Sequence, residues 1–138
     1  MKYILNFPII LTLSVCAPLG EHFQSLKEPS IDAAQVYIYR PSSFVGGGMN
    51  YTVMENENPI IKLYNGGYYT YSTTPGIKKI WAETETTSEI STKLKENQTY
   101  FFRGEIAMGL LVGRPKLTQV SEETALNELP NCKEILTK

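Results

Sequence analysis

A single histidine, His22, and two cysteines, Cys16 and Cys132, occur in the 138 residues of this chain. Catalysis by a serine or cysteine nucleophile needs a neighbouring base, which is usually histidine. A structural zinc site needs about four Cys or His ligands. His22 has no second histidine beside it in the sequence. We therefore expect a non-enzymatic protein without metal or other cofactor, and we interpret His22 as a solvated residue.

An excess of basic residues is also absent, since 13 Lys and Arg stand against 14 Asp and Glu. Loss of a leader containing Lys2 leaves 12 basic and 14 acidic residues, a net charge of −2. Proteins that bind nucleic acid through its phosphates carry a basic stripe. Gly46-Gly47-Gly48 lacks the Gly-Lys-Ser/Thr that completes a phosphate-binding loop. Nucleic acid and nucleotide phosphates are thus excluded as expected partners.

No apolar run reaches the roughly 20 residues of a membrane-spanning helix. Residues 1–15 instead contain one Lys and then a mostly apolar run of about 13 residues, which is typical of a signal peptide. Leu13-Ser14-Val15-Cys16 is similar to a bacterial lipobox, in which Cys16 is acylated, although Val15 replaces the usual small residue. The alternative is ordinary cleavage after Ala17. Two or three acyl chains on Cys16 would hold the protein on a membrane essentially permanently.

The remaining chain has room for one domain. Residues 16–34 mix Pro, Gly, Ser and charge without a period, which predicts a flexible tether. Residues 35–121 are the predicted β-domain, and 122–138 are a C-terminal helix and tail. Acylation of Cys16 would leave Cys132 unpaired, as a small half-buried residue.

Short strand patterns at roughly 8–12-residue spacing predict an all-β fold, a single antiparallel β-sandwich of about seven to eight strands with a short C-terminal helix. The first strand, 35–40, is apolar on both faces and is expected at the centre of a sheet. Further strands are expected at 51–55, 60–64, 68–73, 77–84, 89–94, 99–106 and 112–120. Asn65-Gly66-Gly67 and Pro75-Gly76 supply turn residues and predict a meander over 60–84.

Three details complete this interpretation. Gly104 within its strand suggests a bulge or bend, and Pro115 suggests an edge strand or a bulge. Ser121 is a good helix N-cap, and Pro130 should end that helix. Ala125, Leu126 and Leu129 form the face expected to dock.

Several motifs together resemble a known family. They are VYIYRP at 36–41 before a Gly-rich loop, IKLYNGGYY at 61–69, TPG at 74–76, TYFFRGEI at 99–106 and GRPKLTQVSEETALNEL at 113–129. In this order they resemble small bacterial lipoproteins, the domain of unknown function numbered twenty-eight forty-six, over residues 36 to about 132. The resemblance implies a periplasmic or surface-anchored β-sandwich similar to transthyretin-like and carboxypeptidase-regulatory-like modules. It implies no catalytic residues.

Aromatic and arginine side chains are the candidate ligand or partner surface: Tyr68, Tyr69, Tyr71, Trp81, Arg40 and Arg114. Alternation along the strand puts Tyr69 and Tyr71 on one face and Tyr68 on the other. They are either core and cross-strand pairs or an exposed platform for a glycan or protein. Each Arg precedes a Pro, and it is either a partner or head-group contact or a solvated or carboxylate-paired residue.

Glu83, Glu85 and Glu89 lie close together in the sequence, and two of them could form a catalytic pair of carboxylates. Acid–base catalysis would require one of them to be buried with a raised pKa. Their Thr and Ser neighbours favour a solvated turn, and a weak divalent-cation site is the other alternative.

These observations predict a lipid-anchored, non-enzymatic lipoprotein of the bacterial cell envelope with an interaction or scaffold domain. It would face the periplasm from either membrane or lie on the cell surface, with an envelope protein or glycan as partner. The alternatives are a secreted or periplasmic module binding carbohydrate or protein, an inhibitor or immunity-type protein, and a hydrolase.

Overall fold

A computed structural model describes residues 17–138. The predicted leader and the acylation site Cys16 lie outside the described residues. The described chain forms ten β-strands, one α-helix and one 3₁₀ turn. Their bounds are β1 Leu19–His22, β2 Ala34–Tyr39, β3 Tyr51–Glu55, β4 Asn58–Leu63, β5 Gly67–Thr73, β6 Gly76–Glu83, β7 Thr87–Leu94, β8 Thr99–Ala107, β9 Arg114–Val120, α1 Glu122–Glu128, the 3₁₀ turn Leu129–Asn131 and β10 Lys133–Ile135.

The strands form two sheets that pack face to face, which confirms the predicted all-β sandwich. One sheet has six strands in the order β1-β10-β5-β2-β8-β9, and the other has four in the order β4-β3-β6-β7. Most neighbouring strands are antiparallel, but β2 runs parallel to β8 and β10 runs parallel to β5. Within residues 17–138, the structure contains no helix that combines the length and apolar character needed to cross a membrane.

Strand β2 lies inside the six-stranded sheet and is buried on both faces, as its doubly apolar sequence predicts. Val36 and Ile38 face the core between the two sheets. Tyr37 and Tyr39 face a second apolar cluster on the outer side, which Phe23, Ala125 and Leu129 complete. The molecule therefore has three layers, with α1 and the segment around Phe23 covering the outer face of the larger sheet.

Helix α1 begins as predicted, because Ser121 Oγ accepts a hydrogen bond from the Thr124 amide at 3.2 Å. Ala125 and Leu129 are fully buried against the sheet. Leu126, which we expected on the same docking face, is 40% exposed. The Glu128 carboxylate accepts hydrogen bonds from the Tyr39 hydroxyl at 2.8 Å and Arg103 Nε at 2.9 Å. These two contacts fix the C-terminal end of the helix to β2 and β8.

The predicted meander over residues 60–84 is wrong. Both turns exist, with Gly66 and Gly76 at φ values of +70° and +133°. The strands on either side of each turn, however, belong to different sheets, because β4 and β6 lie in the small sheet while β5 lies in the large one. A glycine-containing turn permits a reversal of direction without fixing which sheet the next strand joins.

The tether predicted at 16–34 contains regular structure. Strand β1 pairs antiparallel with β10, with Leu19 opposite Ile135 and His22 opposite Lys133. Phe23 is 7% exposed and packs edge-on against Tyr37 and Tyr68. The segment 19–23 is therefore part of the domain, and β10 adds a strand within the region predicted as helix and tail.

The prediction for Pro115 is confirmed, whereas the bulge suggested at Gly104 is absent. Pro115 lies in β9, the edge strand of the large sheet, as predicted. Gly104 is not at a bulge, because β8 pairs with β9 in continuous register through Gly104 and Leu117. A Cβ at Gly104 would clash with Leu63 and would lie 2.7 Å from the Tyr51 hydroxyl. The glycine is required by close packing of the opposite sheet.

Candidate functional site

Two loops meet at one end of the sandwich, which we call the apical end. Because β2 and β8 are parallel neighbours, the 40–50 loop after β2 and the 108–113 loop after β8 leave the sheet side by side. Both pack on Ile106: a Cβ at Gly46 would lie 2.8 Å from its Cγ2, and a Cβ at Gly113 would clash with the same atom. The two loops thus form one continuous surface.

Arg40 braces the 40–50 loop from beneath. Its side chain is buried, and its Nη1 and Nη2 donate to the carbonyl oxygens of Met49 at 2.6 Å and Gly46 at 2.7 Å. No carboxylate within residues 17–138 forms an ion pair with it. Loss of hydration on burial lowers the pKa of the guanidinium. The structure therefore differs from both alternatives for Arg40, since it is neither solvated nor paired with an acid and is too buried for an exposed contact.

A polar cleft of about 240 Å³ adjoins Arg40 and is lined also by Ser42, Ser43, Arg103 and Glu105. Arg103 already contacts the Glu105 carboxylate at 3.0 Å as well as Glu128. The exposed charges of this cleft are therefore largely satisfied by one another.

Glu85 braces the 108–113 loop in the same manner. Its Oε1 accepts from the Leu110 amide at 2.8 Å and from Arg114 Nε at 2.8 Å. Its Oε2 accepts from the Leu111 amide at 3.4 Å. The hydrogen bond from Arg114, followed by that from Leu110, lowers the pKa of this carboxyl. A hydrolase role requires a raised pKa, so Glu85 does not meet that requirement, and Arg114 is carboxylate-paired.

Two further side chains complete the bracing. Asn65 bonds both main-chain groups of Ser43, accepting from its amide at 2.9 Å and donating to its carbonyl at 3.1 Å. Thr84 Oγ1 donates to the Gly113 carbonyl at 2.8 Å. The main chain of both loops is thus held by side chains from the body of the sandwich.

The tyrosines fall on the two faces that alternation predicts, but they are engaged in packing. Tyr69 and Tyr71 stack on each other with ring centroids 6.2 Å apart, against the core between the sheets. The Tyr71 hydroxyl donates to Glu55 at 3.1 Å, which links β5 to β3 across the two sheets. Tyr68 packs on the outer cluster beside Phe23. All three are half-buried, and they do not form a single exposed platform.

Trp81 lies apart from these tyrosines, on the small sheet. Its Nε1 donates to the Asn56 carbonyl at 2.7 Å, and the Lys79 ammonium lies 5.0 Å from its ring centroid. Lys79 also contacts Glu89 at 3.5 Å. Trp81 is therefore half-covered by a solvated ion pair.

The remaining candidate residues are isolated from one another. Glu83 and Glu89 are exposed, and residues 17–138 contain no group of three or more His, Cys, Asp or Glu side chains placed to hold a metal ion. Cys132 is fully buried rather than half-buried, with its Sγ 3.8 Å from the Arg40 carbonyl oxygen. Burial raises the pKa of this thiol to about 11, which opposes the thiolate form that a reactive cysteine needs.

The sequence pattern does not predict the apical loops as a unit. It leaves residues 107–111 between the predicted strands 99–106 and 112–120, and only the three consecutive glycines of the first loop carry an expectation. The available signal was the absence of any charged residue from 41–50 and 107–113 combined with Phe44, Leu110 and Leu111.

Comparison with known proteins identifies the family. Residues 30–114 match the model of DUF2846, described as a protein of unknown function. The match covers more than half of the chain, so the protein belongs to this family, as its motifs predict. The comparison with curated proteins found no match, and neither did the comparison with solved structures.

Proposed function

We propose that this protein is a non-enzymatic lipoprotein of the bacterial envelope, anchored through acylated Cys16, whose β-sandwich is an interaction or scaffold domain. The sequence support is the signal peptide pattern of residues 1–15, followed by Leu13-Ser14-Val15-Cys16. Membership of the DUF2846 family is consistent with a β-sandwich that carries no assigned chemistry.

The position of β1 is the structural observation that carries the proposal. This strand starts at Leu19, three positions after Cys16, and pairs with β10 at the edge of the large sheet. Three residues of extended chain reach about 10 Å. An acyl group on Cys16 would therefore hold this edge of the sandwich directly against the membrane, instead of suspending the domain on a long tether.

The non-enzymatic part of the proposal has a separate support. Two of the side chains predicted as candidates for catalysis or ligand binding are instead engaged in contacts within the protein. Glu85 accepts hydrogen bonds from Arg114 and from two main-chain amides, and Tyr71 donates one to Glu55. His22 is exposed in β1 and pairs through its main chain with β10.

Intact-mass measurement of the exported protein tests the anchor, together with partitioning into detergent. We expect an added mass of two or three acyl chains on the chain beginning at Cys16, and recovery in the detergent phase. A Cys16→Ser variant should lose both, because no thiol remains at the acylation position.

Cys132→Ala is the matched control. It removes the other cysteine, which is buried, and should retain the added mass and the detergent partitioning. An unmodified soluble chain beginning at Pro18 would contradict the proposal and would instead identify a free module cleaved after Ala17.

A further inference from the structure

The polar cleft beside the 40–50 loop is lined by a buried cation, Arg40, which is only 1% exposed. Two of its five N–H groups donate to the carbonyl oxygens of Met49 and Gly46. The other three have no acceptor among residues 17–138, and no carboxylate of these residues pairs with the charge. A buried cation is costly unless it is paired and hydrogen-bonded. Arg40 therefore has both a charge and donors with which to bind a further acceptor.

The charged groups around the cleft leave one positive charge in excess. Arg103 and Glu105 line the cleft with Arg40 and contact each other at 3.0 Å. Glu105 also lies 4.0 Å from the Lys116 ammonium, and Arg103 binds Glu128 on its other side. These groups are three cations and two carboxylates, so their net charge is +1. A cleft with an excess of positive charge attracts an anion.

Two hydroxyl groups line the same cleft, those of Ser42 and Ser43. Asn65 fixes the main chain of Ser43 through its amide and its carbonyl, and Asn65 Nδ2 donates to Ser42 Oγ at 3.5 Å. Neither serine hydroxyl donates a hydrogen bond to another group within residues 17–138. A hydroxyl rotates to suit its partner, so both can donate to an anion. The loop is thus held in place while its hydroxyl donors remain available.

The size and chemistry of the cleft limit its ligand to a small ion. Its volume of about 240 Å³ is below the roughly 300 to 1,000 Å³ of sites for drug-sized molecules. The burial of Arg40 keeps a macromolecular partner from its guanidinium, whereas a small ion can enter the cleft. Carboxylate and phosphate groups have the acceptor oxygens that guanidinium binds best.

We propose that this cleft binds a small oxyanion, a carboxylate or a phosphate, whose charge the Arg40 guanidinium balances. The hydroxyls of Ser42 and Ser43 and the Arg103 side chain supply further hydrogen bonds. This inference does not rest on acylation of Cys16, because every group that it uses belongs to the folded domain.

Nuclear magnetic resonance titration of the full chain carrying Cys16→Ser, which bears no acyl group, tests the proposal. Sodium acetate and sodium phosphate are the probes, and sodium chloride at the same ionic strength is the reference. We expect saturable shifts of the Ser42 and Ser43 amides and of the Arg40 Nε–H signal with at least one probe. The tighter probe assigns the class of oxyanion. No saturable shift with either probe, or equal shifts in sodium chloride, would overturn the proposal.

Two variants should change the affinity for the probe in opposite directions. Arg103→Gln removes a positive charge and donors from the cleft, and we expect binding to weaken at least about tenfold, because a hydrogen bond to a charged group contributes this much. Glu105→Gln removes a carboxylate that repels the anion, and we expect binding to strengthen about fivefold. Unchanged affinity in both variants would contradict binding in this cleft.

Glu57→Gln is the matched control, because it changes the net charge of the chain by the same amount as Glu105→Gln. Glu57 is exposed and follows the far end of β3, a strand that begins directly after the 40–50 loop. Its replacement should leave the affinity unchanged. A gain equal to that of Glu105→Gln would show attraction by overall charge alone and would overturn the proposal. Melting temperatures close to that of the parent confirm that the three variants are folded.

Discussion

Arg40 carries a positive charge into the interior at the point where the chain leaves β2 for the 40–50 loop. Removing a guanidinium from water is costly, and here the carbonyl oxygens of Met49 and Gly46 replace part of its hydration. The planar fork of an arginine can bind two carbonyls at once, which a lysine ammonium on its flexible stem does less well. The charge of Arg40 therefore sets the shape of the loop that presents Phe44.

Replacement of Arg40 by Met should be strongly destabilising. Two carbonyls would lose charge-assisted hydrogen bonds in a buried setting, so we expect a loss of about 2 to 4 kcal/mol in the free energy of unfolding. Urea denaturation measures it. Arg103→Met is the matched control, because its ion pairs are partly exposed, and its loss should be no more than about 1 kcal/mol. Equal losses in the two variants would contradict the bracing role of Arg40.

At the scale of the element, β8 shows that side chains of one sheet limit the size of the residue that the facing sheet can carry. Gly104 is buried in regular register between Phe102 and Ile106, with Leu63 and Tyr51 of the opposite sheet directly above its Cα. Both neighbours are themselves buried, and the Tyr51 hydroxyl donates to the Glu105 carbonyl at 3.0 Å. The small residue in β8 thus allows the closest approach of one sheet to the other.

Gly104→Ala should therefore destabilise the protein although alanine is otherwise acceptable in a strand. The added methyl group has to displace Leu63 and the Tyr51 hydroxyl, and overpacking of this kind costs about 1 to 3 kcal/mol. Thermal and urea unfolding measure the change. Gly48→Ala is the control, since a Cβ there meets no atom within 4 Å. A Gly104→Ala protein as stable as the Gly48→Ala protein would refute the packing explanation.

The strands were predictable from the sequence because their apolar alternation and their turn residues are local. The doubly buried β2 was recognisable from Val36, Tyr37, Ile38 and Tyr39 alone. The pairing of the strands was harder to predict, because β5 follows the Asn65-Gly66-Gly67 turn but pairs with β2 instead of β4. Strand β1 was missed because its four residues carry little pattern and its partners lie more than a hundred positions away, at Lys133 and Ile135.

At the scale of the whole molecule, the apical end was hard to predict because its braces come from distant parts of the chain. Glu85 reaches Leu110 across 25 positions, and Asn65 reaches Ser43 across 22. No local pattern marks these contacts. Clustering of the tyrosines in the sequence left an exposed platform as an alternative to core and cross-strand pairs, but a sandwich with a covered outer face buries part of both sides of β5. The folded topology, and not composition, decides which apolar residues remain exposed.

Ionisable thiol and hydroxyl groups are buried in both apolar clusters, and they make the stability of the fold sensitive to high pH. Burial is the largest cause that raises the pKa of Cys132 to about 11 from its ordinary 9.0. Burial likewise raises the pKa values of Tyr39, Tyr51 and Tyr71 well above their ordinary value of 10.0. The neutral forms are favoured in the folded state, while the unfolded chain ionises at the ordinary values. Their contribution to stability is therefore complete below about pH 9, and it is lost progressively as the pH rises.

We expect the urea midpoint to stay constant between pH 7 and about pH 9 and then to fall steeply toward pH 11. The Cys132 thiol accounts for the first part of the fall, because in the unfolded chain it ionises at a lower pH than the tyrosines do. A shift of one pKa unit corresponds to about 1.4 kcal/mol in the free energy of unfolding. The tyrosines account for the part above pH 10, and absorbance of tyrosinate should rise together with unfolding. Cys132→Ala should remove the first part and leave the second, since it deletes the thiol and none of the hydroxyls. A midpoint unchanged up to pH 11 would contradict the burial of these groups, whereas tyrosinate formation without unfolding would locate the titrating tyrosines at the surface.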